Sequence, residues 1–293
     1  MNILVTGVNG QLGSHMRQLG AQSQHTYHYT DIEDLDITRR DAVFNYVLTR
    51  GINVIVNCAG YTNVDKAEDE EAMAEQVNAV AVRHLADAMK VCGGTLIHIS
   101  TDYVFGGANN NSPCREDTPI NPTGAYGRTK LYGEQAIAEV GCHHVIIRTG
   151  WLYSEYGKNF VKTMLRLFSE GRDCKVVFDQ VGTPTYAGDL ANVIFGIVEE
   201  ERFRGADGIY NFSNEGVCSW YDFAFEIARQ SGFENCRITP CHSNEFPSKV
   251  CRPPYSVLDK SKIKAIFGVA IQHWTVSLAT MLANLSAMQN QNS

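Results

Sequence analysis

A glycine-rich turn follows the first apolar segment of the chain and constrains its fold more than any other feature. The stretch LVTGVNGQLGSHM places Gly7, Gly10 and Gly13 at intervals of three, directly after Ile3–Thr6. Where a strand turns into a helix, the first such glycine permits the tight turn and the second lets a pyrophosphate approach the backbone. The third permits close packing of helix on sheet, so the turn predicts a dinucleotide site at the helix N-terminus. Further contacts there are expected at Asn9, Gln11 and Leu12.

Short β-rich segments alternate with helical patterns through the first half of the chain. Strands are expected at Ile3–Thr6, Thr26–Thr30, Val54–Asn57, Thr95–Ser100 and His144–Arg148. Helices are expected at Gln11–Leu19, Arg39–Thr49, Asp69–Val91 and Tyr126–Val140. Such alternation favours a parallel sheet with helices on both faces, and apolar strands without polar alternation suit a sheet buried on both sides. We therefore expect an α/β fold with a doubly wound, Rossmann-type parallel sheet.

The second half of the chain is less regular. Helices are expected at Asn159–Glu170, Leu190–Glu201, Trp220–Ser231 and Thr275–Leu285, and strands at Lys175–Phe178 and Gly208–Phe212. We interpret this half as a smaller α/β lobe built into the first. Residues 1–150 are expected to form the dinucleotide-binding domain. Part of the segment 178–212 is expected to pack into this domain as well. Residues 151–293 are expected to form mainly the substrate-binding lobe.

An acidic residue after the second strand indicates which dinucleotide the chain binds. Asp31 lies 18 residues after Gly13, where a carboxylate accepts hydrogen bonds from the adenosine ribose. A carboxylate there favours NAD and repels the 2′-phosphate of NADP, but a slip of one residue in this alignment would weaken the preference. Both NADH and NADPH therefore stay open as cofactors. Asp36 and Ile37 are counted as cofactor contacts, although Asp36 could instead merely precede a helix cap at Thr38.

Small and polar residues follow the third and fourth predicted strands. The carboxyl ends of parallel strands meet at one edge of a sheet, where ligands bind in open α/β folds. Residues expected against the cofactor at this edge are Ala59, Gly60, Tyr61, Thr62 and Ser100. Thr101 and Asp102 emerge beside them from the segment HISTDYVFGG.

Tyr126 and Lys130 open the next predicted helix, in the stretch TGAYGRTKLYGEQ. At a spacing of four residues they share one helix face, about 5–6 Å apart at Cβ. A phenol with its usual pKa of about 10 is a poor acid at neutral pH, but a nearby ammonium lowers that pKa. Alone, the pair is typical of an ordinary helix surface; beside the glycine turn and Thr101 it predicts general acid catalysis. Tyr126 would protonate a carbonyl oxygen that Thr101 also hydrogen-bonds, while hydride arrives from a nicotinamide whose ribose Lys130 holds.

Together these motifs resemble the extended short-chain dehydrogenase/reductase superfamily. Within it, the chain is similar to the dTDP-4-dehydrorhamnose reductase family over about Asn2 to Leu285. The segments that carry this resemblance are GQLG, NCAGYTNVDKAE, VNA, STDYVFGG, PINPTGAYGRTKLYGE, RTGWLY, DQVGTPT and RPPYSVLD. The resemblance implies reduction of the 4-keto group of dTDP-4-dehydro-L-rhamnose by NADPH or NADH, with Tyr126 as proton donor. The product, dTDP-L-rhamnose, would serve the synthesis of cell-surface polysaccharides.

The resemblance also implies that a dTDP-sugar lies in a groove between the two lobes. Residues expected to border the substrate are Val64, Thr101, Asp102, Tyr103 and Trp151. Asn78 of the VNA segment would add a cofactor contact, and Asn159, Phe160 and DQVGTPT would shape the nucleotide site. Arg252, beside two prolines, is the first candidate for the diphosphate, because a guanidinium can bind phosphate through two parallel hydrogen bonds. The other candidate cations are Arg148, Lys158, Arg172 and Lys175.

One departure from the family pattern concerns metal binding and oligomeric state. In some members an acidic residue soon after GQxG is associated with a magnesium-linked dimer, whereas here Gly13, Ser14 and His15 carry no carboxylate. We therefore expect no bound metal ion, His15 as a surface or packing residue, and either a monomer or a homodimer.

Charge and cysteine content exclude several other classes. The net charge of −7 argues against binding to nucleic acid or to an anionic membrane. We expect neither a signal peptide nor a membrane span. The nine cysteines, without CxxC pairs, indicate free thiols in a reducing, cytoplasmic compartment.

Two alternatives stay open. A sugar-nucleotide epimerase or dehydratase of the same superfamily uses the same Tyr–Lys pair, although dehydratases carry an acidic pair after the strand-four threonine, and here Asp102 is followed by Tyr103. A non-catalytic regulatory subunit, resembling the partner of methionine adenosyltransferase, shares the nucleotide-binding fold. The presence of Thr101, Tyr126 and Lys130 argues for catalysis instead.

Overall fold

The computed structural model describes residues 1–106, 111–233, 235–246 and 248–291. Its strands are β1 (Asn2–Thr6), β2 (Thr26–Thr30), β3 (Val54–Asn57), β4 (Thr95–Thr101), β5 (His143–Thr149), β6 (Leu152–Tyr153), β7 (Cys174–Val177), β8 (Val181–Gly182), β9 (Thr185–Tyr186), β10 (Gly208–Asn211), β11 (Cys218–Ser219) and β12 (Ile238–Cys241). The largest sheet has six parallel strands in the order β2-β1-β3-β4-β5-β10. Each of the first five strands ends within one residue of its predicted bounds. The expected doubly wound α/β fold is confirmed.

Helices cover both faces of this sheet. They are α1 (Gln11–Gly20), α2 (Arg40–Arg50), α3 (Val64–Ala67), α4 (Glu71–Glu75), α5 (Ala81–Cys92), α6 (Ala125–Val140), α7 (Phe160–Ser169), α8 (Ala187–Glu199), α9 (Trp220–Gln230), α10 (Ser261–Phe267) and α11 (Trp274–Gln291). One apolar core contains side chains of α1, α8 and α10, and a second contains side chains of α2, α5 and α6. Among the helices of the described residues, none combines the length and apolar character that crossing a membrane requires.

One predicted helix contains an irregular turn. The expected helix Asp69–Val91 is present as an unbroken helical stretch from Glu71 to Cys92, but its turn at Gln76–Val80 is π-helical, between α4 and α5. The π segment holds the buried Asn78, whose Oδ1 accepts a hydrogen bond from the Tyr61 backbone N at 2.9 Å. Its Nδ2 donates to the Tyr61 carbonyl oxygen at 3.1 Å. The irregular turn thereby fixes the loop that follows β3.

The rest of the second half forms a small lobe with an aromatic core. Strands β7 and β12 pair in parallel, β8 and β11 pair antiparallel, and α7, α9 and α11 pack around Tyr153, Phe168, Phe223 and Trp274. In contrast, β10 pairs with β5 of the large sheet, and α8 packs against α1. This part of the second half therefore lies with the first, and the exact domain division stays a prediction.

Candidate active site

A cavity of about 850 Å³ runs along the carboxyl edge of the large sheet. It lies beside β1. The chain places β2 on one side of β1 and β3 on the other, and ligands of open α/β sheets usually bind where the strand order reverses in this way. The predicted site residues that line it are Gly7, Gly10, Gln11, Leu12, Asp31, Asp36, Ile37, Ala59, Gly60, Thr62, Val64, Ser100, Thr101, Asp102, Tyr103, Tyr126, Lys130, Trp151 and Arg252. Candidates for catalysis, cofactor and substrate therefore share one cavity.

The glycine turn has the backbone geometry that a close-packed phosphate loop requires. Gly7 adopts φ +65°, and a Cβ there would lie 2.7 Å from the Ala59 Cα, so glycine lets the loop after β3 approach the turn. A Cβ on Gly13 would lie 2.3 Å from the Gly7 carbonyl oxygen, which places Gly13 behind the turn as a packing residue. Helix α1 begins directly after Gly10, and its N-terminal N–H groups can meet an anion.

Another part of the lining carries two carboxylates. We call the part formed by Asp31, Ile32 and Asp36 the adenosine end, after the ligand group predicted to bind at Asp31. Asp31 accepts hydrogen bonds from the backbone N of Asn9 and from that of Ile32, both at 2.9 Å. Asp36 accepts from the backbone N of Thr38 at 3.0 Å and from its hydroxyl at 2.6 Å. The expected helix cap at Thr38 is wrong, because the N-cap of α2 is the next residue. Asp36 instead closes a local turn while also lining the cavity.

Two further predicted cofactor contacts, Tyr61 and Asn78, support the cavity wall from behind. Asn78 Nδ2 donates to the Thr129 hydroxyl of α6 at 3.1 Å, in addition to its bonds with the Tyr61 backbone. The Tyr61 hydroxyl donates to Glu70 Oε2 at 2.5 Å. These side chains therefore tie the loop after β3 to α6.

Thr101 and Tyr126 meet at the other end of the cavity. Their hydroxyl groups are neighbours, and the Thr101 hydroxyl donates to Asp102 Oδ1 at 3.2 Å. The start of α6 is fixed from elsewhere in the chain, since the backbone N of Ala125 donates to Glu68 Oε1 at 2.6 Å. We define the catalytic end of the cavity as Thr101, Asp102, Tyr126 and Lys130.

The expected lowering of the Tyr126 pKa is wrong for this structure. Burial raises the pKa of Tyr126 to about 12; the neighbouring Thr101 hydroxyl opposes this effect, and the charge of Asp102 adds to it. Burial also lowers the pKa of Lys130 to about 8, so the ammonium predominates at pH 7 but loses its proton more readily than that of an exposed lysine. Sequence reasoning considered the charge of the neighbour but not the desolvation of both groups.

A buried ion pair lies behind the catalytic end. Arg148, which is 0% exposed, donates from Nε to Glu134 Oε1 at 2.9 Å and from Nη2 to Oε2 at 2.7 Å. Ser100, a predicted cofactor contact, donates to the same Glu134 Oε1 at 2.5 Å. The expectation that Arg148 helps to hold a diphosphate is therefore wrong. Since Glu134 lies one turn after Lys130 on α6, the pair instead anchors this helix to β5.

Trp151 and Trp220 stack where the two halves of the chain meet. Their ring centroids lie 3.6 Å apart with planes at 9°. Trp151 adopts φ 52°, a left-handed conformation that costs a bulky residue about 1–3 kcal/mol and persists only when its surroundings hold it. Sequence reasoning missed Trp220, because an indole at a helix start gives no local sign of its distant partner.

A second cavity of about 660 Å³ adjoins the first and shares Trp220 and Arg252 with it. The predicted nucleotide-site residues and cations in its lining are Phe160, Lys175, Gln180 and Arg252. Arg252 Nη2 donates to Asp65 Oδ2 at 3.1 Å, which holds the guanidinium at the boundary of the two cavities. Lys158 lines the first cavity, whereas Arg172 pairs with Glu170 at 3.6 Å.

His15 is buried and joins α1 to the loop after β6. Its Nε2 lies 3.0 Å from Ser154 Oγ and 3.1 Å from Glu155 Oε2. The Tyr186 hydroxyl donates to Glu155 Oε1 at 2.6 Å, so the carboxylate is held from two sides. Of the two expected roles, surface and packing, the structure favours packing; the expected lack of a bound metal stays a prediction.

Comparison with known proteins supports the resemblance drawn from the motifs. A family profile described as the RmlD substrate binding domain matches residues 1–287. The dTDP-4-dehydrorhamnose reductase of Aggregatibacter actinomycetemcomitans is 38% identical over 291 residues, which cover 96% of this chain and 98% of that protein.

Solved structures agree with the sequence matches. The crystal structure of a dTDP-4-dehydrorhamnose reductase from Clostridium acetobutylicum superposes with a TM-score of 0.92 at 40% identity, covering 98% of this chain and 100% of that one. The dTDP-4-dehydrorhamnose reductase from Bacillus anthracis, solved in complex with NADP, gives a TM-score of 0.88 at 35% identity and covers 97% and 99%. With the predicted resemblance confirmed over almost its whole length, the chain belongs to the RmlD family, that of the dTDP-4-dehydrorhamnose reductases.

Proposed function

We propose that this chain catalyses the NADPH- or NADH-dependent reduction of the 4-keto group of dTDP-4-dehydro-L-rhamnose to give dTDP-L-rhamnose. The observation that carries the proposal is that Thr101, Tyr126 and Lys130 line the same cavity as the glycine turn. The predicted proton donor and the predicted dinucleotide site thus face one cavity. The relatives described above are named for reduction of the same sugar nucleotide.

The residues of the cavity fit a nicotinamide dinucleotide. The N-terminus of α1 would hold the pyrophosphate, and Asp31 would accept hydrogen bonds from the adenosine ribose. A Cβ on Gly60 would lie 3.3 Å from Asn78 Oδ1 and 3.9 Å from Lys130 Nζ, so a small residue keeps the wall open there. When bound, the dinucleotide supplies the hydride; a relative in this family is solved with NADP.

Tyr126 supplies the proton in this proposal. With a pKa of about 12 the phenol keeps its proton at neutral pH and can give it to a carbonyl oxygen that gains negative charge. The Thr101 hydroxyl is a neighbour of the phenol and would help to stabilise the same developing charge. Lys130 donates to the Ile99 carbonyl oxygen at 2.5 Å, which holds the amine within the cavity wall.

The two adjoining cavities suit the two parts of a sugar nucleotide. We assign the sugar to the first cavity, beside Val64, Tyr103 and Trp151; the ring of Tyr103 packs edge-on against Tyr126 with centroids 5.4 Å apart. The diphosphate would lie at Arg252, which lines both cavities. The base would occupy the second cavity, whose lining includes Phe160, Lys175 and Trp220.

We further propose that the enzyme works in the cytoplasm as a monomer or a homodimer. All nine cysteines are free thiols, which suits a reducing compartment.

The proposed function is tested by incubating the purified protein with NADH or NADPH and dTDP-4-dehydro-L-rhamnose. We expect stoichiometric loss of the reduced cofactor and a product heavier by two hydrogens. A dTDP-sugar without a keto group serves as the control and should leave the cofactor unchanged. Unchanged cofactor with the keto sugar would indicate a binding role, and an isomerised sugar without net cofactor oxidation would indicate an epimerase.

A further inference from the structure

A buried histidine, His98, faces Lys130 from the middle of β4. Its side chain is 0% exposed, and its Nε2 lies 3.5 Å from Lys130 Nζ. The sequence signal is a polar residue within the apolar segment LIHIS, and sequence reasoning did not use it. A fully buried imidazole beside a catalytic amine must have a defined protonation state, and its neighbours determine which.

A backbone N–H group fixes the orientation of the Asn57 side-chain amide. The backbone N of Ala59 donates to Asn57 Oδ1 at 3.2 Å, and the Thr6 hydroxyl donates to the same oxygen at 2.7 Å. Since a backbone N–H has no acceptor capacity, Oδ1 must face it. The Nδ2 group of Asn57 therefore points at His98 Nδ1, 3.1 Å away.

This amide decides the tautomer of His98. Because Asn57 donates to it, Nδ1 carries the lone pair, and the single proton of the neutral ring lies on Nε2. A second proton, on Nδ1, would place two donors, the His98 Nδ1–H and the Asn57 Nδ2–H, opposite each other in a fully buried position. Burial and the charge of Lys130 also hold the pKa of His98 well below its usual value, in agreement with a neutral ring.

The Nε2–H of His98 then points at Lys130 Nζ. An ammonium has only donors, whereas a neutral amine has one lone pair that can accept this hydrogen bond. The amine can still donate to the Ile99 carbonyl oxygen, as Lys130 does at 2.5 Å. The contact between His98 and Lys130 therefore fits the uncharged form of the lysine better than the charged one.

The other titratable and charged groups around Lys130 come from its own helix, the loop after β3, the turn after β4, and β5. They are Tyr126, Glu134, Cys58, Asp102 and Arg148. The charge of Glu134 favours the ammonium, but its carboxylate oxygens are already engaged by Arg148 and Ser100. Burial raises the pKa of Cys58 to about 12, which keeps that thiol neutral.

We propose that His98 is a positioning residue that donates a hydrogen bond from Nε2 to Lys130 and so makes the neutral amine of Lys130 accessible during turnover. The proposal rests on the proposed reductase function for its catalytic meaning. After Tyr126 gives its proton to the substrate oxygen, an N–H bond of the Lys130 ammonium breaks and the O–H bond of Tyr126 forms again, with the proton relayed by a hydroxyl or water in the cavity that both side chains line. The amine left behind is stabilised by His98 until it takes a proton from solvent. Lys130 is thus a proton carrier and not only a fixed positive charge.

A matched pair of variants separates the two hydrogen bonds of His98. His98→Asn can keep the acceptor for Asn57 but loses the donor that faces Lys130, whereas His98→Gln can place an amide N–H near the position of Nε2. We expect the Lys130 side chain to titrate about one pH unit higher in His98→Asn and close to the wild-type value in His98→Gln. The 13Cε resonance of Lys130, assigned with Lys130→Arg, follows this titration without any substrate.

The kinetic measurement uses the same variants. Since the ammonium must supply the proton, kcat/KM should fall as pH rises through the Lys130 pKa, and this alkaline limb should move to higher pH by about one unit in His98→Asn only. Equal shifts in both variants, or no shift in either, would overturn the proposal.

The tautomer of His98 is tested directly in the wild-type protein, which avoids any loss of folding in a variant. The 15N resonances of the ring, assigned by comparison with His98→Gln, should show a proton on Nε2 and a bare Nδ1 from roughly pH 5 to pH 9. A proton on Nδ1, or titration of the ring in this range, would overturn the proposal. Lack of turnover by the wild-type protein would instead overturn the proposed function, and with it the role of Lys130 as proton carrier. The tautomer of His98 and the titration of Lys130 would still show whether His98 donates a hydrogen bond to Lys130.

Discussion

The catalytic end and the adenosine end of the cavity are built in opposite ways. At the catalytic end, Thr101, Asp102 and Lys130 are each at most 4% exposed, and burial displaces the pKa values of Asp102 and Lys130. At the adenosine end, Ile32 is 68% exposed, and Asp31 is partly exposed. Proton transfer needs groups taken out of water, whereas recognition of a ribose needs one accessible carboxylate and a fixed backbone. Substitutions at the first end should change rate, stability and pH dependence; those at the second should change the choice of cofactor.

The largest effect is expected for Tyr126→Phe. Removing the proton donor should lower kcat by about 10³-fold, within the range for a general acid, while the dissociation constant for NADPH changes little. Steady-state kinetics and cofactor titration measure the two quantities. Tyr132→Phe is the matched control, because Tyr132 lies on the same helix and is 41% exposed. Full activity in Tyr126→Phe would refute the assigned role of the catalytic end.

Glu134→Gln should cause the largest loss of stability. It leaves the charge of Arg148 buried without a partner, which should lower the free energy of unfolding by about 3–5 kcal/mol. Glu139→Gln on the same helix removes a partner of Arg83, whose side chain is 44% exposed, and should cost about 1 kcal/mol or less. Urea unfolding compares the two variants. Similar losses of unfolding free energy in the two variants would contradict the expectation that a buried ion pair is more sensitive than an exposed one.

Asp102 should make stability depend on pH. Burial raises its pKa to about 6 from 3.8, so the folded state binds the proton more tightly and stability falls as pH rises through about 6. The difference between the two pKa values corresponds to about 3 kcal/mol. Between about pH 4 and pH 7, the free energy of unfolding of the wild-type protein should decrease by this amount relative to Asp102→Asn. Parallel pH profiles for the two proteins would contradict the prediction.

The smallest effect is expected at the adenosine end. Asp31→Asn keeps an oxygen that can accept from the backbone N of Asn9 but removes the charge that repels a 2′-phosphate. The ratio of kcat/KM for NADPH to that for NADH should rise about tenfold, or about 1.4 kcal/mol, with an unchanged midpoint of unfolding. Glu33→Gln, at an exposed neighbour, is the control. A large loss of kcat with both cofactors would show that the two ends are not independent.

The sequence predicts well what depends on local pattern. Apolar strands and their turn residues gave strand ends within one residue, and the spacing of Gly7, Gly10 and Gly13 located the tight turn between β1 and α1. The differences involve long-range contacts. Asn78 lies in a π segment, and its amide is engaged by Tyr61 and Thr129, which are distant in the chain.

The chemistry of the site was harder to predict than its location. The pair formed by Tyr126 and Lys130 was recognised from its spacing, yet the direction of the Tyr126 pKa depends on how much solvent the folded chain excludes. Likewise, the protonation of His98 depends on the orientation of Asn57 on a neighbouring strand, which no local pattern encodes.

The stacked indoles of Trp151 and Trp220 give this protein a built-in optical signal. The chain contains three tryptophans, and the third, Trp274, packs edge-on against Phe223 within the lobe core. Emission from the stacked pair is therefore sensitive to whatever enters or opens the junction between the halves. Ligand occupancy can be followed by intrinsic fluorescence, with no label attached and with Trp274 as an internal reference.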